Sequence, residues 1–344
     1  MPEGHTIHRL AGELNRRFAG VPVSLSSPQG RFSESADRLA GATFVRATAH
    51  GKHLFADFGA GRTVHVHLGL YGRVAFGVFG AKAAVPVTAR WGGRDISYVA
   101  PVVAAAVPTA EAAAGLVAGG SMAGGAADEA ADVAADVAAD EEEDDDGAAA
   151  EYAENGADAP PEPRGAVRLR VVGDGDYLDL RGPTACDLLD PAEVAAIHAR
   201  LGPDPLRRDG HEQEFVARVR ARRVDVGALL MDQRMIAGVG NVYRAEILFR
   251  HGLSPFRLGR DVSEATLAAM WEDLRLLMRH GVRSGQIVTT RPPDRPHPRG
   301  YVRRDEAHYV YKRSALACRV CGSPVSTQVM VGRNLFWCPH CQPQ

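Results

Sequence analysis

Two cysteine pairs near the C-terminus, Cys318-x2-Cys321 and Cys338-x2-Cys341, constrain this chain more tightly than any other feature. Each pair offers two thiolates from one tight turn. The 16 residues between the pairs have the length of a β-hairpin, so four sulfurs can converge on one metal ion in tetrahedral coordination. Four protein ligands leave no open position, so the expected ion is a single structural zinc. A redox dithiol would explain one pair and leave the second without a purpose. The intervening sequence, STQVMVGRNLFW, places Arg333 near the hairpin tip. Spacing alone leaves two readings of Arg333 open, a bidentate grip on phosphate and a solvated turn residue.

Charge becomes informative only when the chain is divided. The formal net charge is −2, but residues 104–165 hold 16 acidic side chains and one basic. Elsewhere 39 basic side chains face 26 acidic ones, a net of +13. A body that basic points to a polyanionic partner, most simply nucleic acid. Arginine abundance by itself also reflects coding bias, with 37 Arg against three Lys (Lys52, Lys82 and Lys312). The same bias makes each lysine less incidental. There is no run of 18 apolar residues and no basic region followed by an apolar core at the amino end, so neither a membrane span nor a secretory leader is expected. Five cysteines, four of them paired for metal, suit a reducing cytoplasm.

Periodicity divides the chain into three expected domains. Ile7, Leu10, Ala11, Leu14 and Phe18 recur at helical spacing, with Gly20 placed to end the helix. Pro2 and Glu3 then stand at or just before a helix N-terminus. From Thr43 to Phe79, alternating runs such as HLFADF and TVHVHL read as strands, and AVRLRVV and YLDL, joined by the Gly-Asp-Gly turn at 173–175, read as a further hairpin. Residues 104–165, rich in Ala, Gly, Asp and Glu, offer too little apolar surface to offset the entropy of ordering and read as a disordered insert. The expected divisions are 1–189, a β-rich domain carrying that insert; 190–285, all helical; and 286–344, a Pro-rich connector and the four-cysteine module.

Three further segments carry possible chemistry. MIAGVGNVYRAEILF (Met235–Phe249) runs a glycine loop into a helix, whose exposed N–H groups could seat a phosphate with Asn241 adding a donor, or could merely connect two helices. AHGKHLF sets Lys52 in a turn entering a strand. At the amino end, loss of Met1 would leave Pro2 with a free secondary amine, able to attack the anomeric carbon of a sugar, displace its base and leave an iminium; Glu3 beside it could move protons. Pro and Glu are equally ordinary residues at the start of a helix.

Together, PEG at the terminus, GKHLF, AGVGNVYRAEIL and C-x2-C…GRNLFWCPHC resemble the formamidopyrimidine-DNA glycosylase and endonuclease VIII family of bacterial base-excision repair. The resemblance spans both ends and the middle, in the family's order. It implies an α+β multidomain fold: an N-terminal β-sandwich with flanking helices, an all-α helix-two-turn-helix domain and a C-terminal β-hairpin zinc finger. It also implies roles. Pro2 matches the nucleophile that forms a Schiff base with the sugar, Glu3 the carboxylate that assists ring opening, and Lys52 the lysine that aids base release and elimination. Asn241 and Arg333 match the pair that holds phosphates flanking the lesion. Leu70 and Tyr71, in HLGLYGR, resemble the wedge that fills the vacated base position, although both could be core residues.

The chain has LRGPTAC where the formamidopyrimidine branch carries an Arg-Phe pair, which leaves the role of Arg181 in doubt. That departure and PEGHT at the start favour the endonuclease VIII-like branch, of actinobacterial type, with oxidised pyrimidines as substrates. The expected protein is a bifunctional glycosylase and abasic-site lyase acting on damaged DNA. It is expected to be a cytoplasmic, nucleoid-associated monomer, with one zinc ion and no small-molecule cofactor or membrane. A noncatalytic DNA-damage-binding protein on the same scaffold is the rival reading, and an RNA-binding zinc protein lacks an evident aromatic stacking motif.

Overall fold

The computed structural model describes residues 2–84, 89–91, 94–96, 152–155 and 158–344. Its first element, helix α1 (Gly4–Phe18), buries the five apolar residues that the 3.6-residue period selects, Ile7, Leu10, Ala11, Leu14 and Phe18. They enter one core with the inward residues of two sheets. One sheet has four strands in the order β11-β4-β3-β2, formed by Ala185–Leu189, Thr63–His67, His53–Asp57 and Arg46–His50. The other has five, in the order β1-β9-β10-β5-β8: Ser24–Ser26, Val167–Val172, Asp176–Arg181, Arg73–Phe79 and Tyr152–Asn155. Leu54, Ala56, Val64 and Val66 of the first sheet share the core with Val74, Phe76, Leu169, Val171, Leu178 and Leu180 of the second. This is the expected sandwich.

The insert departs from expectation at its C-terminal end. Tyr152–Asn155 forms β8 and pairs parallel to Phe76–Phe79 of β5. A sheet edge offers backbone donors and acceptors whatever the side chains, so Ala-rich composition does not forbid pairing there. The expected disorder of 104–151 lies outside the described residues, as do 156 and 157.

Helices α3 (Pro191–Arg200), α4 (Glu212–Arg220), α5 (Val226–Leu229), α6 (Asn241–Arg250) and α7 (Glu264–Ser284) follow the short helix α2 (Ser33–Asp37) and the sheets. Asp190 caps α3 in a full capping box with Glu193, with Pro191 in the first turn. The second core gathers Phe215, Tyr243, Ile247, Trp271, Leu274 and Met278 from these helices, with Leu230 and Ile236 from the loop before α6. A third core packs Val242, Ala245 and Phe249 of α6 against Tyr309, Val310, Tyr311 and Phe336. A short separate hairpin pairs β6 (Ala89–Trp91) with β7 (Arg94–Ile96), and the final hairpin pairs β12 (Ser326–Met330) with β13 (Arg333–Trp337). No helix among the described residues is long and apolar enough to cross a membrane.

The outward face of the four-stranded sheet is unusual. His53 and Phe55 of β3, His65 and His67 of β4 and His50 of β2 stand on it, and α3 covers part of it by stacking His198 on Phe55 and on His50, with ring centroids 4.5 and 5.1 Å apart. Five of the 13 histidines thus meet on one face. Desolvation, assisted by the mutual repulsion of neighbouring rings, lowers His53 from 6.5 to about 2 and His198 to about 4; burial lowers His50 as well. Below pH 6.5 the native state therefore binds fewer of these protons than the unfolded chain. Stability drawn from the neutral array is complete above that pH and is lost as pH falls towards the folded values. Thermal melts between about pH 7.5 and pH 5 should show this decline, with His53 alone contributing up to about 1.4 kcal/mol per pH unit. His53→Leu should flatten the slope, and an unchanged slope would contradict the assignment.

Candidate active site

Glu3 is the first residue of the site to be fixed, and it does not act as its own helix suggests. It occupies the N-cap position of α1 with extended backbone, yet its side chain makes no capping bond there. Instead the carboxylate reaches helix α6. Oε2 accepts from the Gly240 N–H at 2.9 Å and from Tyr243 at 3.5 Å, and Oε1 accepts from Val242 at 2.8 Å. The Gly4 N–H donates to Gly238 O at 2.8 Å, completing the junction. The carboxylate is 2% exposed. Burial pushes its pKa upward, and the Lys52 ammonium and the Val242 and Gly240 N–H groups oppose that shift. The N–H groups that the glycine loop was expected to offer to a phosphate are therefore occupied by Glu3, and Gly238 N–H is taken by Gln233 Oε1 at 2.9 Å. The backbone phosphate seat is corrected accordingly: the helix N-terminus stabilises an internal anion.

Lys52 lies in the two-residue turn between β2 and β3, where His50 pairs with His53. Its partner in the turn, Gly51, has φ of +59°, and a Cβ there would sit 2.9 Å from Ala237 Cβ and 3.0 Å from Gly238 N. Only glycine permits so close an approach of the turn to the 237–240 loop. Asp204, which no motif in the chain singles out, anchors this approach. Its Oδ2 accepts from Gly51 N–H and from His8 Nε2, both at 2.8 Å, and its Oδ1 accepts from Leu206 N–H. Burial works to raise its pKa, but the His8 contact and the two N–H donors hold the carboxyl below its ordinary value. An Asp flanked by Pro203 and Pro205 was the only available signal.

Helix α6 carries the rest. Asn241 is buried; its Nδ2 donates to Asn334 O at 3.1 Å and its Oδ1 accepts from Arg244. Arg244 also donates to Met330 O at 3.2 Å. Arg333 faces Met330 across the Val331–Gly332 tip and is 6% exposed, so it is not the solvated turn residue that spacing left open. Glu246 was also missed: its carboxylate accepts from Thr289 Oγ1 and from the N–H groups of Tyr309, Val310 and Tyr311. Behind the hairpin, the sulfurs of Cys318, Cys321, Cys338 and Cys341 all lie within 4.8 Å of one another. Separations of 3.9 Å (Cys318–Cys341) and 3.4 Å (Cys321–Cys338) suit tetrahedral thiolates on one zinc ion. That structural zinc fixes the base of the hairpin.

The remaining candidates separate. Tyr71, 59% exposed, stands on the β4–β5 turn and is not a core residue; Leu70 beside it is half-buried. Arg181 ends β10, donating to Arg164 O at 2.9 Å and contacting Asp179, which Arg170 already holds through two hydrogen bonds. Glu3, the Lys52 turn, Asn241 and the Arg333 hairpin thus converge around the N-terminal end of α6.

Three family models match the chain in sequence: the formamidopyrimidine-DNA glycosylase N-terminal domain at 1–99, the formamidopyrimidine-DNA glycosylase H2TH domain at 201–292, and the zinc finger found in FPG and IleRS at 316–344. Endonuclease 8 1 of Mycobacterium tuberculosis is 42% identical over 342 residues, spanning 99% of this chain and 100% of that protein. The chain belongs to the formamidopyrimidine-DNA glycosylase family. A formamidopyrimidine-DNA glycosylase of Thermus thermophilus is 35% identical over 185 residues, 53% of this chain and 62% of that protein. The family fold is also evident in solved structures. MutM (Fpg) of Thermus thermophilus superposes with a TM-score of 0.62 at 22% identity, covering 100% of this chain and 99% of that one. Lactococcus lactis Fpg, in complex with DNA containing an abasic site, gives 0.64 at 16%, covering 99% and 100%.

The close approach of Gly240 to Glu3 in this family member supplies a test. A Cβ at Gly240 would lie 2.6 Å from Glu3 Cδ and 2.7 Å from Oε1. Gly240→Ala should displace the carboxylate and cost about 1–3 kcal/mol in urea unfolding. Wild-type stability in that variant would refute the cap geometry.

Proposed function

We propose that this chain is a bifunctional DNA glycosylase and abasic-site lyase of base-excision repair, working through Pro2. The observation that carries the reading is the convergence of a buried Glu3 carboxylate, the Lys52 turn and the Asn241–Arg333 junction on the segment that begins with Pro2. Family membership supplies the DNA glycosylase activity, and lyase activity is typical of the family. With Met1 removed, the Pro2 nitrogen attacks C1′ of the damaged nucleotide as the glycosidic bond breaks and the base leaves. The sugar ring then opens to a Schiff base. A carboxyl whose pKa burial has raised can hold a proton for that opening, which is the role assigned to Glu3. Lys52, close enough to act on Glu3 electrostatically, assists base departure and then β-elimination.

Asn241 and Arg333 are assigned to phosphates flanking the lesion, and Leu70 with Tyr71 to the space left by the flipped nucleotide. The exposure of Tyr71 supports that wedge. The preferred lesions are oxidised pyrimidines, in keeping with the 42% identity to an endonuclease 8. We read the chain as a monomer acting on nucleoid DNA without a small-molecule cofactor. Its parts are a sandwich domain at 1–189, a helical domain at 190–285 and a zinc-finger region at 286–344.

Borohydride trapping tests the chemistry. A protein whose intact mass shows that Met1 is absent should form a covalent adduct with DNA bearing an abasic site or an oxidised pyrimidine. A form carrying one extra N-terminal residue should bind the same DNA and form none. DNA binding without any adduct from the Pro2-terminated form would instead select the noncatalytic damage-binding reading. Independently, Arg333→Ala should reduce the dependence of log Kd on log salt by about 0.9 for each phosphate that the guanidinium no longer neutralises. A parallel salt titration in variant and wild type would remove Arg333 from the phosphate grip.

A further inference from the structure

The histidine array covers the sheet face that carries the Lys52 turn, and nothing in the proposed chemistry uses it. His50 and His53 bracket the turn directly, and each meets another imidazole. His50 Nδ1 lies 2.8 Å from His198 Nδ1, and His53 Nδ1 lies 2.9 Å from His65 Nε2. The His50 contacts determine their own protonation. Its Nε2 lies 2.9 Å from Gly202 O, and a carbonyl oxygen can only accept, so Nε2 carries the hydrogen. In the neutral ring Nδ1 is then a lone pair, and the nitrogen 2.8 Å away must be the N–H of His198. A proton added to His50 Nδ1 would point at that N–H, and one of the two rings would have to move.

The turn is tied to the same segment by a second bond. Gly51 N–H donates to Asp204 Oδ2, two residues beyond the carbonyl that accepts from His50. Adjacent residues of the turn, 50 and 51, therefore hold neighbouring points of the 202–204 loop. Gly51 meanwhile packs on Ala237 and Gly238, next to the N–H groups capped by Glu3. Displacement of His50 would be transmitted to Lys52 through one intervening residue.

We propose that His50 is a positioning residue for Lys52, and that its imidazole contacts with His198 and Gly202 make the placement of that lysine responsive to protons. The proposal rests on the reading of Lys52 as part of the active site. Other charged and titratable groups face the pair from each packed element. They are His53 on β3, His65 and His67 on β4, Asp187 on β11, Arg200 on α3, and Asp204, Arg207 and Asp209 on the loop after α3. Arg207 disfavours a proton on His50, whereas Asp204 and Asp209 favour one. Neither carboxylate takes the place of a ring partner: Asp204 is engaged by His8 and Gly51, and Asp209 by Arg207.

The chain has only three lysines, so mass-spectrometric acylation can read Lys52 directly against the exposed Lys312. In the full-length wild-type protein the Lys52/Lys312 labelling ratio should change about threefold or more between about pH 6.5 and 4.5, below the ordinary imidazole range because burial disfavours the charged ring of His50. His50→Gln keeps a donor for Gly202 O but cannot take the proton, and its ratio should stay nearly constant. His198→Gln should behave likewise while leaving the His50–Gly202 bond intact, and it serves if the first variant does not fold. In single-turnover cleavage of abasic-site DNA, the acid limb of the variants should move down by about half a pH unit, with DNA affinity at pH 7.5 within about twofold of wild type. Labelling ratios and acid limbs that coincide in folded variants and wild type would overturn the proposal, as would a wild-type ratio that does not depend on pH. Wild-type labelling that responds to pH in a protein that neither cleaves nor traps such DNA would instead overturn the enzymatic reading and leave the positioning role of His50 standing.

Discussion

The buried carboxylate of Glu3 at the N-terminus of helix α6 is the contact on which the rest of the site depends. An isolated carboxylate taken out of water costs several kcal/mol unless hydrogen bonds and opposite charge compensate. Here Gly240 and Val242 donate from the positive end of a helix macrodipole, and Lys52 adds charge. The hydrogen bonds come from residues 237 and 239 positions away in sequence, so the anion is stable only when the sandwich and the helical region are together. The amino-terminal segment is thereby held by the same bonds that join two cores.

Helix α6 distributes that constraint. Residues 241–249 are all buried, which leaves the helix no solvated face. Its first turn faces Glu3, Asn241 and Arg244 bond the zinc hairpin, and Glu246 gathers the amides of 309–311. The four cysteine sulfurs would hold a structural zinc close to this hairpin, in which Arg333 pairs opposite Met330. Charged side chains buried in a helix that also packs two cores are costly to misplace, because each leaves an unsatisfied partner. That favours one relative arrangement of the elements over loosely docked alternatives.

Local signals of strict periodicity were legible from the residues. The apolar stripe of α1, the alternation in β3 and β4, the Gly-Asp-Gly hairpin and the cysteine spacing each predict the element found. The outward face of the four-stranded sheet was not legible, because alternation marks which residues leave the core but not that α3 stacks His198 over Phe55 and His50. The helix N-terminus after Gly240 looked like a phosphate seat for a similar reason: sequence marks the exposed donors but not which anion reaches them. Asp204 and Glu246 gave almost no signal, since a single acidic residue in a loop or helix is ordinarily solvated.

Residue types and short spacings set out the chemistry available: a proline and a carboxylate next to the amino end, one lysine in a glycine turn, four metal-binding thiols and a basic body. Those are properties of residue type and short spacing, and they survive any global arrangement. Tertiary structure alone decided which of them meet. It directed Glu3 to a helix other than its own, buried Arg333 and Asn241 at a shared junction, and exposed Tyr71. The physical reason is that burial and hydrogen-bond partnership are set by long-range packing, which the pattern of neighbouring residues does not encode.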